Sequence, residues 1–158
     1  MTLVGVYIYS ETKEGRDAGE LCGLGSIGVT ATRNMDEIIA LKPDCVVYTP
    51  MGPNFDDICK LLASGANIVT TCVGFNYHAW LDPTVRERVE EEFRQGGTSI
   101  HGSGSSPGFI TKAVPIVLTS IMRRLDCLTI DKFADLWWYE HPVMFFDVVN
   151  YGKPVTEM

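Results

Sequence analysis

The sequence predicts an α/β fold, a parallel sheet with helices between its strands, followed from residue 107 by the start of a second, α+β domain. Three observations point there. Apolar, β-branched runs alternate with helical patterns over residues 1–106. Those runs are continuous rather than alternating, as expected of parallel strands covered on both faces. The helical patterns between them open on recognisable caps.

The elements follow in order. Leu3-Val4-Gly5-Val6-Tyr7-Ile8-Tyr9 reads as the opening strand. Asn34, with the acid Glu37 three residues on, caps a helix running into Ile38, Ile39 and Leu41. Asp44-Cys45-Val46-Val47-Tyr48 is a short buried strand. Asn54 caps a helix from Phe55 to Ala63, and Asp56 and Asp57 suit its positive end. Asn67-Ile68-Val69-Thr70-Thr71 is the next strand. Asp82 before Pro83 opens a charged helix from Val85 to Gln95, which Gly96-Gly97 ends. Thr98-Ser99-Ile100-His101 is the last strand of the series.

The character then changes. Residues 107–124 read as a longer apolar helix that Pro115 either begins or kinks. Residues 125–139 read as one long strand, and residues 141–153 as a helix or loop. These make a poor free-standing domain, so the C-terminal end looks incomplete. The domains expected are 1–106 and 107–158.

Composition narrows the function. A chain of 158 residues is about one domain, and 46% hydrophobic with 21% charged residues is ordinary for a soluble globular protein. The net charge of -7 argues against nucleic acid, which demands a basic footprint. No apolar run approaches the ~20 residues of a spanning helix, and no basic segment opens a signal peptide. The five cysteines, at 22, 45, 59, 72 and 127, are odd in number and lack the close spacing of a zinc or redox motif. Cys45, Cys59 and Cys127 fall in strand- or helix-like runs, where Cys acts as a small hydrophobe. A reduced, cytoplasmic protein without a metal site is expected.

Three segments lie where ligands of open α/β sheets bind, off the carboxyl ends of strands. After the opening strand, Ser10, Lys13 and Arg16 can offer donors to a phosphate, although Glu11 and Glu14 dilute the charge. The simpler reading is a polar loop. Thr70-Thr71-Cys72-Val73-Gly74-Phe75-Asn76 ends a buried strand, and Tyr77 and His78 follow it, His78 at an expected surface position. His101-Gly102-Ser103-Gly104-Ser105-Ser106-Pro107-Gly108-Phe109 is a flexible turn whose glycines allow close backbone approach. It serves equally well as a hinge between domains. Further on, Trp137, Trp138 and Tyr139 can wall an apolar pocket with Glu140 or His141 as a polar anchor, or simply form a sheet face or subunit contact.

Taken in this order, the segments resemble the dihydrodipicolinate reductase-like superfamily. The run Gly15-Arg16-Asp17-Ala18-Gly19-Glu20-Leu21 is similar to the one after the second strand of those reductases, and Thr70-Thr71 through Gly74-Phe75 resembles their nicotinamide-side turn with two residues inserted. The phrasing Val46-Val47-Tyr48-Thr49-Pro50 and His101-Gly102-Ser103-Gly104 is closer to the branch of amine dehydrogenases and diaminopentanoate dehydrogenases. The His-His-x-x-x-Lys cluster of true dihydrodipicolinate reductases is absent from residues 134–142.

The resemblance implies a Rossmann-type sheet lacking its first βα unit, because no Gly-rich turn stands before the opening strand to cradle a pyrophosphate. It implies hydride transfer between NAD or NADP and an imine or amine carbon, with an amine, ketone or imine as substrate and a homo-oligomeric assembly. Ser10, Lys13 and Arg16 would meet the ribose side, slightly favouring NADP. Thr49, Pro50 and Met51 would line the adenosine side. Thr71, Gly74 and Phe75 would flank the nicotinamide, with Gly102, Ser103 and Gly104 closing over it. Glu140 and His141 are the candidate catalytic groups. The fragment is expected to bind cofactor weakly or not at all and to associate through its opening strand. The competing expectation is a non-catalytic interaction module.

Overall fold

The computed structural model describes residues 1–133, 135, 137, 138, 142–148 and 150–154. The chain divides into two compact units, Met1–Arg123 and Arg124–Met158.

The first unit is α/β with only parallel pairing between its strands. Strand β1 (Val6–Tyr7) pairs with β2 (Ala31–Thr32), and β3 (Cys45–Tyr48), β4 (Asn67–Thr70) and β5 (Ile100–Gly102) form a separate three-stranded sheet in the order β3-β4-β5. Val46 is level with Ile68, and Ile68 with Ile100. Helices α1 (Ala18–Leu21), α2 (Met35–Ala40), α3 (Phe55–Ala63) and α4 (Pro83–Gly96) intervene.

The caps form as the sequence predicts. The Asn34 side chain accepts from the Asp36 amide, Asn54 from those of Asp56 and Asp57, and Asp82 from those of Thr84 and Val85. Gly97 ends α4 in the left-handed region at φ 63°, where glycine carries no Cβ penalty. Helix α3 supplies the heart of the core, with Ile58, Leu61 and Leu62 fully buried against Tyr48, Ile68 and Val89. Met35 and Ile38 of α2 join the same cluster.

Several expectations are corrected. The opening strand is confined to two residues, and Leu3 and Val4 are exposed. Strand β2 and helix α1 were not foreseen, being too short to show a period. Strands β3 and β4 are covered on one face only. Val46, Tyr48, Ile68 and Thr70 turn to the helices, while Val47 and Val69 are 68% and 38% exposed. Cys59 is buried as expected, but Cys45 and Cys127 are exposed. The long apolar helix is instead a π-helical turn (Phe109–Ala113) leading into the six-residue α5 (Val114–Thr119), with Pro115 at its start. This stretch lies within the first compact unit, Met1–Arg123.

In the second unit, the described part of residues 125–138 contains no strand, contrary to expectation. A strand needs a partner for its backbone groups, and this unit offers none among the described residues. Local bonds prevail instead. Arg124 Nε donates to Asp126 Oδ1 at 2.6 Å, and the Trp137 amide to Asp135 Oδ1 at 3.0 Å. A π-helical turn (Val143–Val148) follows, and the Tyr151 amide closes back on the Phe145 carbonyl at 2.8 Å.

Asp17 organises the loop before β2. Its Oδ1 accepts from the Gly19 and Ile27 amides at 2.8 and 3.0 Å, and its Oδ2 from the Gly28 amide at 2.7 Å and the Ser26 hydroxyl at 3.0 Å. The Ile27 amide above all, helped by Ser26, Gly19 and Gly28, holds the carboxyl down at about 2, against an ordinary 3.8. A depressed acid stabilises the fold above its unfolded pKa and loses that contribution as pH falls through the folded one. Asp17→Asn should therefore melt below wild type above pH 3.8, with the difference fading as pH approaches about 2. A series of thermal melts against pH checks this. Leu61→Ala, which opens a cavity under β3 and β4, should cost about 2–5 kcal/mol in urea unfolding.

Candidate functional site

The carboxyl ends of the strands carry the candidate residues. Beyond β1, Ser10 Oγ lies 2.8 Å from Thr12 Oγ1 at the start of a 3-10 turn (Glu11–Lys13). Ser10, Lys13 and Arg16 are all exposed. Arg33, just past β2, pairs with Glu11 at 2.9 Å and lies 3.8 Å from Glu14. It thereby offsets part of the negative charge of the two acids in this loop. Sequence reasoning missed Arg33, because only the pairing of β2 with β1 brings it there.

Beyond β3, the buried Tyr48 ties the strand end to the cap of α3. Its hydroxyl accepts from the Asn54 amide at 3.0 Å and lies 3.4 Å from the Asn54 carbonyl, so residues 49–53 form a closed loop. Thr49 and Met51 are exposed on that loop and Pro50 is half-buried. Burial, then the Tyr48 hydroxyl, pushes the Tyr9 phenol upward, and burial does the same to Tyr48. The ends of β1 and β3, at Tyr9 and Tyr48, line one cavity. Between them lies an apolar groove of about 650 Å³ whose walls include Ser10, Lys13, Thr49 and Pro50. Arg16 and Met51 lie outside its walls.

Beyond β4 and β5 a second group assembles. The Ser103 amide donates to the Thr70 carbonyl at 2.8 Å, and the Cys72 amide to Thr70 Oγ1 at 3.1 Å. A 3-10 turn (Val73–Phe75) passes so close over β5 that a Cβ at Gly102 would overlap the Phe75 carbonyl. Of the candidates, Phe75 thus meets Gly102, and Ser103 is tied to Thr70. Phe75 also packs on Phe55, ring centroids 6.2 Å apart. Asn76 is 7% exposed, and neither atom of its amide has a partner among the described residues, though its carbonyl accepts from Lys112 Nζ at 3.1 Å. Such an orphaned buried amide demands an explanation. Its signal in the sequence was only its place at the end of the Thr-Thr turn.

The remaining candidates fall elsewhere. Tyr77 and His78 are exposed. Trp137 and Trp138 are 95% and 73% exposed, so neither is buried as the wall of an apolar pocket. Glu140 and His141, with Tyr139, lie outside the described residues. Among the described residues no group of three His, Cys, Asp or Glu side chains is placed to hold a metal, and no helix is long and apolar enough to cross a membrane.

Gly102→Ala should disturb the junction of the two turns. We expect a lower melting temperature and lost amide protection around Phe75 and Ser103. Gly52→Ala, where nothing lies within 4 Å of the added carbon, should leave both unchanged.

No protein-family model matches the chain. An amine dehydrogenase of Streptomyces virginiae is 30% identical over 162 residues, spanning 98% of this chain and 45% of that one. The solved structure of an amine dehydrogenase from Mycobacterium smegmatis matches the fold with a TM-score of 0.70 at 23% identity, covering 78% of this chain and 38% of that one. The chain thus spans less than half the length of the relatives it matches. The expected resemblance to the amine dehydrogenase branch and the Rossmann-like α/β fold are both borne out. Nearly all of this chain is similar in sequence to part of the Streptomyces virginiae amine dehydrogenase, and 78% of it shares the fold of the Mycobacterium smegmatis one.

Proposed function

We propose that these residues are the cofactor-binding part of an NAD(P)-dependent amine dehydrogenase-like oxidoreductase, acting between an amine and its ketone or imine. The observation that carries the reading is that the sequence relation to an amine dehydrogenase runs through every strand end of the candidate site. The two clusters suit a dinucleotide in kind. Ser10, Lys13, Thr49 and Pro50 share one groove at the ends of β1 and β3, where the adenosine half would lie, with Arg16 and Met51 flanking it. Thr71, Gly74 and Phe75 follow β4, and Gly102, Ser103 and Gly104 end β5, with Phe75 against Gly102, where the nicotinamide would lie. The orphaned amide of Asn76 has the donor and acceptor that a primary carboxamide complements.

A bound nicotinamide would supply the hydride chemistry, and the protein supplies placement and electrostatics. Lys13 and Arg16, with Arg33 quenching Glu11 and Glu14, favour a 2′-phosphate and hence NADP. The tight Gly102 approach holds the Phe75 turn against the end of β5. Glu140 and His141 are the groups proposed to meet the amine. Residues 107–158 are proposed to open the substrate and oligomerisation domain of a cytoplasmic homo-oligomer.

The Gly-rich run Gly23–Gly28 precedes β2 and its Ile27 and Gly28 amides are taken by Asp17, so residues 1–158 alone should bind cofactor weakly. Titration with NADPH and NADH, followed by nicotinamide fluorescence, tests this. Weak saturable binding that favours NADPH is expected, and the double variant Lys13→Ala/Arg16→Ala should erase about tenfold of the preference. A preference for NADH would overturn the NADP assignment. Tight NADPH binding would overturn the expected impairment, and the absence of binding at any concentration would overturn the cofactor site.

A further inference from the structure

We infer that the hydroxyl of Tyr48 is a positioning group that presets the loop 49–53 to receive the uncharged base of the cofactor. It rests on the cofactor reading above and adds to it a residue that touches no ligand. Tyr48 is 5% exposed and lies in the core cluster with Ile58, Leu61, Leu62 and Ile68. Its ring packs there as any aromatic ring would, and phenylalanine would fill the same space. The hydroxyl goes beyond what packing needs. It reaches the first residue past the loop, accepting from the Asn54 amide at 3.0 Å and donating to the Asn54 carbonyl at 3.4 Å. The residue that ends β3 and the residue that caps α3 are thus fastened to each other. The segment between them stands out as a closed loop.

Three features suit that loop to a neutral, flat group. Thr49-Pro50-Met51-Gly52-Pro53 contains two prolines, whose fixed φ leaves little freedom once both ends are tied. Thr49 and Pro50 line the groove, and Met51 beside them is 75% exposed. An unbranched thioether is a favourable neighbour for an aromatic ring. The third feature is electrostatic. A free helix N-terminus attracts phosphate, and α3, nine residues long, begins just past the loop. Here the Asn54 side chain already accepts from the Asp56 and Asp57 amides at 3.0 and 3.4 Å. Asp56 and Asp57 also place two carboxylates in the first turn, and Arg88 pairs with Asp56 at 2.7 Å. This helix end therefore turns an anion away.

The adenine ring is the part of a dinucleotide that answers this description. A 2′-phosphate finds its donors beyond β1, at Ser10, Lys13 and Arg16, and the base falls to the loop beyond β3. Without the Tyr48 hydroxyl, loop 49–53 would be held by its covalent ends alone. The base would then have to order it on binding, which weakens affinity. Tyr48 thus acts on the ligand only through the loop, and only at the adenosine end.

Tyr48→Phe removes one oxygen and leaves the packing. Residues 1–158 and this variant are titrated with adenosine, 2′,5′-ADP and nicotinamide mononucleotide, and binding is followed by NMR. The variant should bind adenosine and 2′,5′-ADP more weakly by the same factor, about fivefold, and nicotinamide mononucleotide as wild type does. In the free variant, backbone order parameters of Met51 and Gly52 should fall from about 0.85 toward about 0.6, while those of Ile58 and Leu61 stay unchanged. Lys13→Ala/Arg16→Ala should show the complementary pattern, losing affinity for 2′,5′-ADP and keeping it for adenosine. Unchanged adenosine binding by Tyr48→Phe overturns the inference and leaves the cofactor reading standing. An equal loss for all three probes also overturns it, being the mark of a merely structural role. Loss confined to 2′,5′-ADP would mean that the loop meets the phosphate, and overturns the assignment to the base. Wild type that binds none of the probes overturns the cofactor reading, and the role of Tyr48 falls with it.

Discussion

The burial of one face of α3 against β3 and β4 is the constraint from which the rest of the first unit follows. Ile58, Leu61 and Leu62 lose all contact with water there, and Tyr48, Ile68 and Val89 close around them. Burying a residue of this size is worth roughly 1.5–3 kcal/mol, so this small cluster outweighs any single polar contact on the surface. It also sets the site. With β3 and β4 held in register under α3, the Tyr48 hydroxyl reaches the Asn54 backbone and shapes the loop that carries Thr49, Pro50 and Met51.

The β1–β2 half is held differently. Its strands are two residues each, and only one flank of β1 is paired. Here a carboxylate takes the place of a core. Asp17 gathers amides from both ends of the loop between α1 and β2, which returns the chain so that Ala31 and Thr32 can pair with Val6 and Tyr7. The run from Gly15 to Leu21 therefore has a structural task at its centre, while Arg16 beside Asp17 is exposed. The two halves meet through α2, whose Met35 and Ile38 enter the common core, and the strands themselves stay apart.

Much of the second half of the first unit was legible from local chemistry. Asn34, Asn54, Asp82 and Gly97 act within a few residues of themselves, so the helices they bound needed no tertiary information. Strands β3, β4 and β5 were legible as apolar runs. Strand β2 and α1 were not, because a two-residue strand and a one-turn helix exist only through partners distant in sequence. The described part of residues 125–138 shows the reverse error. Its β-branched and aromatic residues have strand propensity, but propensity pairs nothing without a neighbour.

The same division applies to the site. The sequence by itself determined which residues stand at strand ends, because a strand's end is marked by its own turn residues, and it pointed to the amine dehydrogenase branch. Only the tertiary structure decided which ends come together. It joined Phe75 to Gly102, brought Arg33 to Glu11, left the Asn76 amide buried without a partner among the described residues, and kept β1 apart from β3. These are contacts between segments many residues apart. They are decided by which surfaces can be buried together, and no local pattern records that.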